Sequence, residues 1–149
     1  MHAMRTLKGM NNTHPTALEL LKRHLEIGIV NNLDAWYALF NEDAILEFPY
    51  AIGTPFPSRL DGKAAIREHI DRVAQKFGRF TFRDARFHAK ERDLASCEVH
   101  GTSTIASTGE VYEQNFVMVL EARDGRIARY REYWSPIVAM ALVKATPQK

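Results

Sequence analysis

The sequence predicts an α+β domain in which three helices cover one face of a curved, mainly antiparallel sheet, leaving a hollow between the two layers. Three observations carry this expectation. Apolar residues recur at helical spacing through the first half of the chain, strand-like alternation takes over after Gly78, and the two patterns do not interleave as a parallel βαβ chain requires. At 149 residues the chain fits one domain with one core. That domain is expected over 15–140, between a loose, disordered leader at 1–14 and a tail at 141–149.

Thr16 opens the first helix as an N-cap, with Glu19 at capping-box spacing, and Leu18, Leu21, Leu25 and Ile29 follow on one face. Asn31-Asn32 breaks it. A short second helix over 34–40 contributes Trp36, Leu39 and Phe40, and Asn41-Glu42-Asp43 turns the chain into a strand over 44–48. Pro49, Pro55 and Pro57, with Gly53, deny that stretch a regular ladder, so 49–60 reads as an irregular loop able to rim a pocket. Asp61 is the expected cap of a third helix over 62–77, striped by Ile66, Ile70, Val73 and Phe77. Four strands follow over about 79–89, 93–106, 111–123 and 126–134, with turns at Glu91-Arg92-Asp93, Ser107-Thr108-Gly109 and Asp124-Gly125.

Composition narrows the function. Twenty basic and 18 acidic side chains leave a net charge of +2, and no basic block interleaves with aromatics, so nucleic acid is not an expected partner. No apolar run approaches the roughly 18 residues that span a bilayer, and the N-terminus has no signal-type segment, so no membrane association is expected and the location is expected to be cytoplasmic. Cys97 stands alone and reads as an apolar filler: it allows neither an internal disulfide nor, without paired histidines, a zinc site. No metal, nucleotide or flavin signature is present, and the expectation is no cofactor. The strand over 111–123 is apolar on both faces, with Val111, Val117 and Val119 opposite Tyr112, Phe116, Met118 and Leu120. Helices can cover only one face, so a homodimer through the convex face is expected.

Chemistry is concentrated in the last strand. Alternation puts Glu132 on the same face as Ala128, Tyr130 and Trp134, with Arg129 and Arg131 on the other. An acid among rings loses hydration, and its pKa rises toward the range useful for proton transfer near neutrality. His69 borders the buried stripe of the third helix and is the expected partner in acid/base work. His24, Asn115, Tyr130, Trp134, Trp36, Phe48, Tyr50 and Phe56 are the expected substrate-binding set, lining a cavity for a small hydrophobic or aromatic molecule. Tyr112 and Glu113 stand behind these. The plain alternatives are a structural ion pair for Glu132, a satisfied boundary residue for His69, and ordinary core packing for each ring.

Several strings resemble one family. Asn32-Leu33-Asp34-Ala35-Trp36-Tyr37-Ala38-Leu39-Phe40-Asn41-Glu42-Asp43-Ala44 and Leu60-Asp61-Gly62-Lys63-Ala64-Ala65-Ile66-Arg67-Glu68 resemble segments of the nuclear transport factor 2-like superfamily, over about 17–136. Tyr112-Glu113-Gln114-Asn115-Phe116, Asp124-Gly125-Arg126-Ile127 and Arg131-Glu132 are most similar to its SnoaL-like and phenazine-biosynthesis A/B members. The resemblance implies a cone-shaped, cystatin-like fold with an internal cavity. It also implies acid/base roles for a last-strand glutamate and a third-helix histidine, which match Glu132 and His69. Limonene epoxide hydrolase, a relative, carries a water-activating aspartate in a similar last-strand motif, again matching Glu132. Phe48 stands where ketosteroid isomerases have their general-base aspartate, which removes that route. Their oxyanion tyrosine corresponds approximately to His24, and their oxyanion-binding acid falls near Asn115 or Val117. The expected function is therefore a cofactor-independent isomerase, cyclase or condensing enzyme using Glu132 and His69. The alternatives are a hydrolase in which Glu132 activates water, and a non-catalytic module that holds an apolar ligand.

Overall fold

The computed structural model describes residues 13–145. Helices α1 (Ala17–Ile27) and α2 (Leu33–Tyr37) precede strand β1 (Phe40–Glu47), and a 3-10 turn (Pro49–Ala51) leads to the short β2 (Arg59–Asp61). Helix α3 (Lys63–Ala74) is followed by β3 (Thr81–Glu91), β4 (Leu94–Thr104), β5 (Val111–Arg123) and β6 (Arg126–Tyr133), then helix α4 (Pro136–Lys144). The six strands form one curved, unclosed sheet in the order β2-β1-β6-β5-β4-β3. All neighbours are antiparallel except β1 and β6, which run parallel. The architecture is the α+β layout expected from the pattern of the chain.

Local chemistry explains most of the boundaries. Thr16 caps α1 by accepting from the Glu19 amide at 3.1 Å, and Asn32 caps α2 by accepting from Ala35 at 3.2 Å. Asp124 and Gly125 both take positive φ, 54° and 75°. Those are the angles of the turn whose twist matches two antiparallel strands, and it aims β6 back along β5. Register shifts in β3 between Arg83 and Arg86 and in β5 between Glu121 and Ala122 bend the sheet.

The structure departs from expectation in four places. Helices number four among the described residues rather than three, because Ser135 and Pro136 start a new one: the Ser135 hydroxyl accepts from Val138 at 3.3 Å. Residues 141–144, expected in a tail, are therefore helical. The second helix stops at Tyr37 because Ile127 donates its amide to the Leu39 carbonyl at 2.7 Å and Phe40 pairs with Ile127, so strand pairing replaces the continued helix. Asp61 does not cap α3; it ends β2, opposite Ile45, and forms an ion pair with Arg59, while Gly62 occupies the cap at φ 90°. The leader expected over 1–14 lies outside the described residues except for its last two positions.

Helix α1 packs across β3 to β6, and α3 packs against β1 and β2. Leu20, Leu21, Ile66, Leu46, Leu120, Ile127 and Cys97 fill the contact between the layers and are fully buried. Each aliphatic chain so buried contributes roughly 1.5–3 kcal/mol. Inward positions of β5 are Tyr112, Gln114, Phe116, Met118 and Leu120, and outward ones are Val111, Glu113, Asn115 and Val117. Gly101 on β4 has no side chain to occupy the inner face, and the rings of Phe80, Phe82 and Phe116 close over it. Between the segment that follows α1, helices α3 and α4, and this inner face lies the cavity.

Candidate functional site

The cavity and its open mouth together hold about 740 Å³ of empty space. That is room for several waters or a molecule of one or two fused rings. Its wall is apolar except at Glu132, His69, Tyr112 and Trp134, whose indole carries one N–H donor. Phe48, Phe56 and Trp134 build one side, with Trp134 against Phe48 at 5.7 Å and against Phe56 edge-on at 5.9 Å between ring centroids. The proline-rich segment thus supplies a cavity residue, Phe56.

Glu132 is 6% exposed and sits at the end of a buried hydrogen-bonded chain. Trp36 Nε1 lies 2.7 Å from His24 Nδ1, His24 Nε2 lies 3.0 Å from the Tyr130 hydroxyl, and that hydroxyl lies 2.7 Å from Glu132 Oε2. An indole nitrogen can only donate, so His24 Nδ1 must accept and the neutral ring must carry its proton on Nε2. Nε2–H then donates to Tyr130, and Tyr130 donates to Glu132. The direction of every proton in the chain follows from the tryptophan.

The electrostatics agree with that direction. Burial lowers the His24 pKa to about 3, which keeps the ring neutral. Tyr130 is pushed well above its ordinary value by burial and by the charge and hydrogen bond of Glu132, so it stays a donor. Burial raises Glu132 to about 7, opposed by the Tyr130 hydrogen bond. Tyr130 engages Oε2, and the Glu132 side chain lines the cavity. A carboxyl poised near 7 can give or take a proton at neutral pH.

His69 reaches the same cavity from α3. It is half-buried, with its ring 6.0 Å from that of Phe48. Burial lowers its pKa first, and the charges of Arg72 and Lys76 lower it further. No hydrogen bond joins it to Glu132 among the described residues, so the two groups address the cavity separately.

The other expected lining residues divide. Phe48, Phe56 and Trp134 line the cavity. His24, Tyr130 and Trp36 lie one layer behind it, as the chain that holds Glu132. Asn115 and Tyr50 require correction, because neither reaches the cavity. Asn115 occupies an outward position of β5, where it meets His100 Nδ1 at 2.8 Å. Tyr50 is 59% exposed and stacks edge-on against Tyr133 on the outer side. Gln114 escaped notice in the sequence, although its inward position between Tyr112 and Phe116 in an alternating strand was the available signal. Its amide donates to the Tyr112 hydroxyl at 3.2 Å and is clamped by the backbone of Ser135.

The sequence and fold of this chain are matched among known proteins. The SnoaL-like domain model matches residues 22–130, and the chain belongs to that family, within the NTF2-like superfamily. The uncharacterized protein YesE of Bacillus subtilis is 32% identical over 128 residues, which are 85% of this chain and 86% of that protein. An uncharacterized PhzA/B-like protein of Pseudomonas aeruginosa is 32% identical over 122 residues, 81% of this chain and 85% of that protein. A Bacillus subtilis structure provisionally termed an isomerase superposes with a TM-score of 0.77 at 30% identity, covering 89% of this chain and 96% of that one. A phenazine biosynthesis-related protein from Pseudomonas aeruginosa shares the fold, with a TM-score of 0.63 at 21% identity and 94% of both chains covered.

Proposed function

We propose that this protein is a cofactor-independent isomerase, cyclase or condensing enzyme acting on a small, largely apolar molecule, with Glu132 as the proton-transfer group and His69 as its partner across the cavity. One observation carries the reading. Glu132 is the one carboxyl among the described residues of a mostly apolar wall, held by Tyr130 through one oxygen and poised near neutrality through its burial. Its ionised form abstracts a proton from a carbon or heteroatom of the bound molecule, and its neutral form returns the proton elsewhere on the same skeleton. Neutral His69 holds or relays a proton on the other side. A relative provisionally termed an isomerase, at 30% identity, is consistent with this class.

The hydrolase alternative needs a second acid and an arginine beside the water-activating carboxylate. Neither is among the cavity-lining residues, which favours isomerisation or cyclisation. The convex face fits a second copy of the chain, since Val111 is 68% and Val117 is 41% exposed there.

The test is hydrogen exchange into enolisable aryl ketones such as 2-tetralone, followed by NMR in heavy water. Enzyme-dependent exchange at one carbon, falling about 10²- to 10⁴-fold in Glu132→Gln, is the expected result. Exchange that is equal in the variant removes Glu132 from the chemistry.

A further inference from the structure

The buried polar group that this mechanism leaves unused is Tyr112, and its hydrogen-bond geometry decides where its proton goes. The Ser135 amide can only donate, so the Gln114 atom 3.0 Å from it is the carbonyl oxygen. The Ser135 carbonyl can only accept, so the Gln114 atom 3.1 Å from it is the amide nitrogen. That orients the Gln114 side chain without ambiguity. Its nitrogen lies 3.2 Å from the Tyr112 hydroxyl and must donate to it.

The Tyr112 oxygen is therefore an acceptor in this contact, and its own proton has still to be placed. No acceptor among the described residues takes it. Tyr112 is 5% exposed and lines the cavity, so a ligand in the cavity is positioned to supply an acceptor for that proton. Burial, with the nearby Glu132 charge and against the Gln114 hydrogen bond, holds the phenol up at about 12, so it remains a donor across the physiological range. A buried donor without an acceptor is a standing cost that a ligand oxygen would remove.

Tyr112 shares the inward face of β5 with Met118, which pairs with Glu132. Its hydroxyl lies against the Gln114 amide beside Ser135, so the donor and the proton-transfer group address one cavity from separate positions of the sheet.

We propose that the Tyr112 hydroxyl is a ligand-anchoring donor that selects flat, apolar molecules carrying a carbonyl oxygen. Gln114 and the start of α4 hold the anchor in place. This rests on the reading of the cavity as a substrate site, but does not depend on Glu132 being catalytic.

The probe is 2-acetylnaphthalene carrying a ¹³C-labelled carbonyl, with its hydrocarbon counterpart 2-isopropylnaphthalene as control. Binding is read by quenching of Trp134 fluorescence, and the carbonyl band by infrared difference spectroscopy. In the wild-type protein the band should lie below its position in an alkane solvent. In Tyr112→Phe it should return to that position, with ketone affinity falling about three- to tenfold and hydrocarbon affinity unchanged. A bound ketone whose band lies at the alkane position, a band unmoved by Tyr112→Phe, or no ketone binding up to its solubility limit overturns the proposal. If Tyr112→Phe does not fold, the wild-type band alone decides at pH 9, where Glu132 is ionised and can only accept, with His69→Phe and Trp134→Phe excluding the remaining donors. The two readings fail separately. Glu132→Gln lowers exchange about 10²- to 10⁴-fold while the band still responds to Tyr112→Phe if both hold, whereas a shifted band without any enzyme-dependent exchange sinks the acid/base reading and keeps the anchor.

Discussion

Replacing Glu132 by Gln should remove the pH dependence of one part of the stability. In the folded chain the carboxyl titrates near 7, raised by burial from an ordinary 4.5. The native state thus holds a proton that the unfolded chain has released between those two values. A raised acid contributes stability that is complete below the unfolded pKa and is lost as pH rises through the folded one. From pH 5 to pH 8 the loss is about 2–3 kcal/mol, since each pKa unit corresponds to about 1.4 kcal/mol. Gln carries no charge and can still accept from Tyr130, so the variant should escape this loss. His24, lowered to about 3, has the opposite slope: its contribution is present above 6.5 and is lost as pH falls below that value. It acts in both proteins and cancels in the comparison. Urea unfolding of wild type and variant at pH 5, 6.5 and 8 gives the difference directly. The variant should gain on the wild type by about 2–3 kcal/mol across that range. Parallel profiles, or a variant that loses ground as pH rises, would refute the inward, desolvated placement of the carboxyl.

Other expectations follow from the same geometry. Tyr130→Phe removes the hydrogen bond that holds Glu132 down, so the carboxyl midpoint, followed by ¹³C NMR of a labelled glutamate, should move above 7. The same change leaves His24 Nε2–H without its acceptor and should cost about 1–3 kcal/mol in urea unfolding; an unshifted midpoint contradicts the chain. Gly101→Ala would place a methyl group 2.6 Å from the Phe80 ring and 2.7 Å from the Phe116 ring. It should destabilise the fold by about 1–3 kcal/mol and narrow the cavity, and a neutral denaturation midpoint would show that the rings yield freely. Val117→Arg on the convex face should turn a light-scattering dimer into a monomer at low micromolar concentration. A wild-type monomer under those conditions removes the dimer proposal.

The layers, the order of elements and the inward direction of Glu132 were legible in the chain because each depends on short-range pattern. Helical spacing from Leu18 onward, the Asp124-Gly125 turn and strict alternation through Glu132 are local constraints, and strand geometry converts them into faces without further information. Asn115 shows where this stops. Alternation set it with Val117, yet which of the two β5 faces turns inward is decided by packing against α1 and by pairing with β4 and β6. The second helix ended early for a similar reason: its last residues were claimed by the distant strand that holds Ile127. His24, Trp36 and Tyr130 lie in three separate segments, and no spacing rule links them. Their convergence into a directed chain on Glu132, like the clamp of Ser135 on Gln114, is a product of tertiary packing. Hydrogen-bond direction depends on which donors meet which acceptors in space, whereas a linear pattern specifies only which side each residue faces.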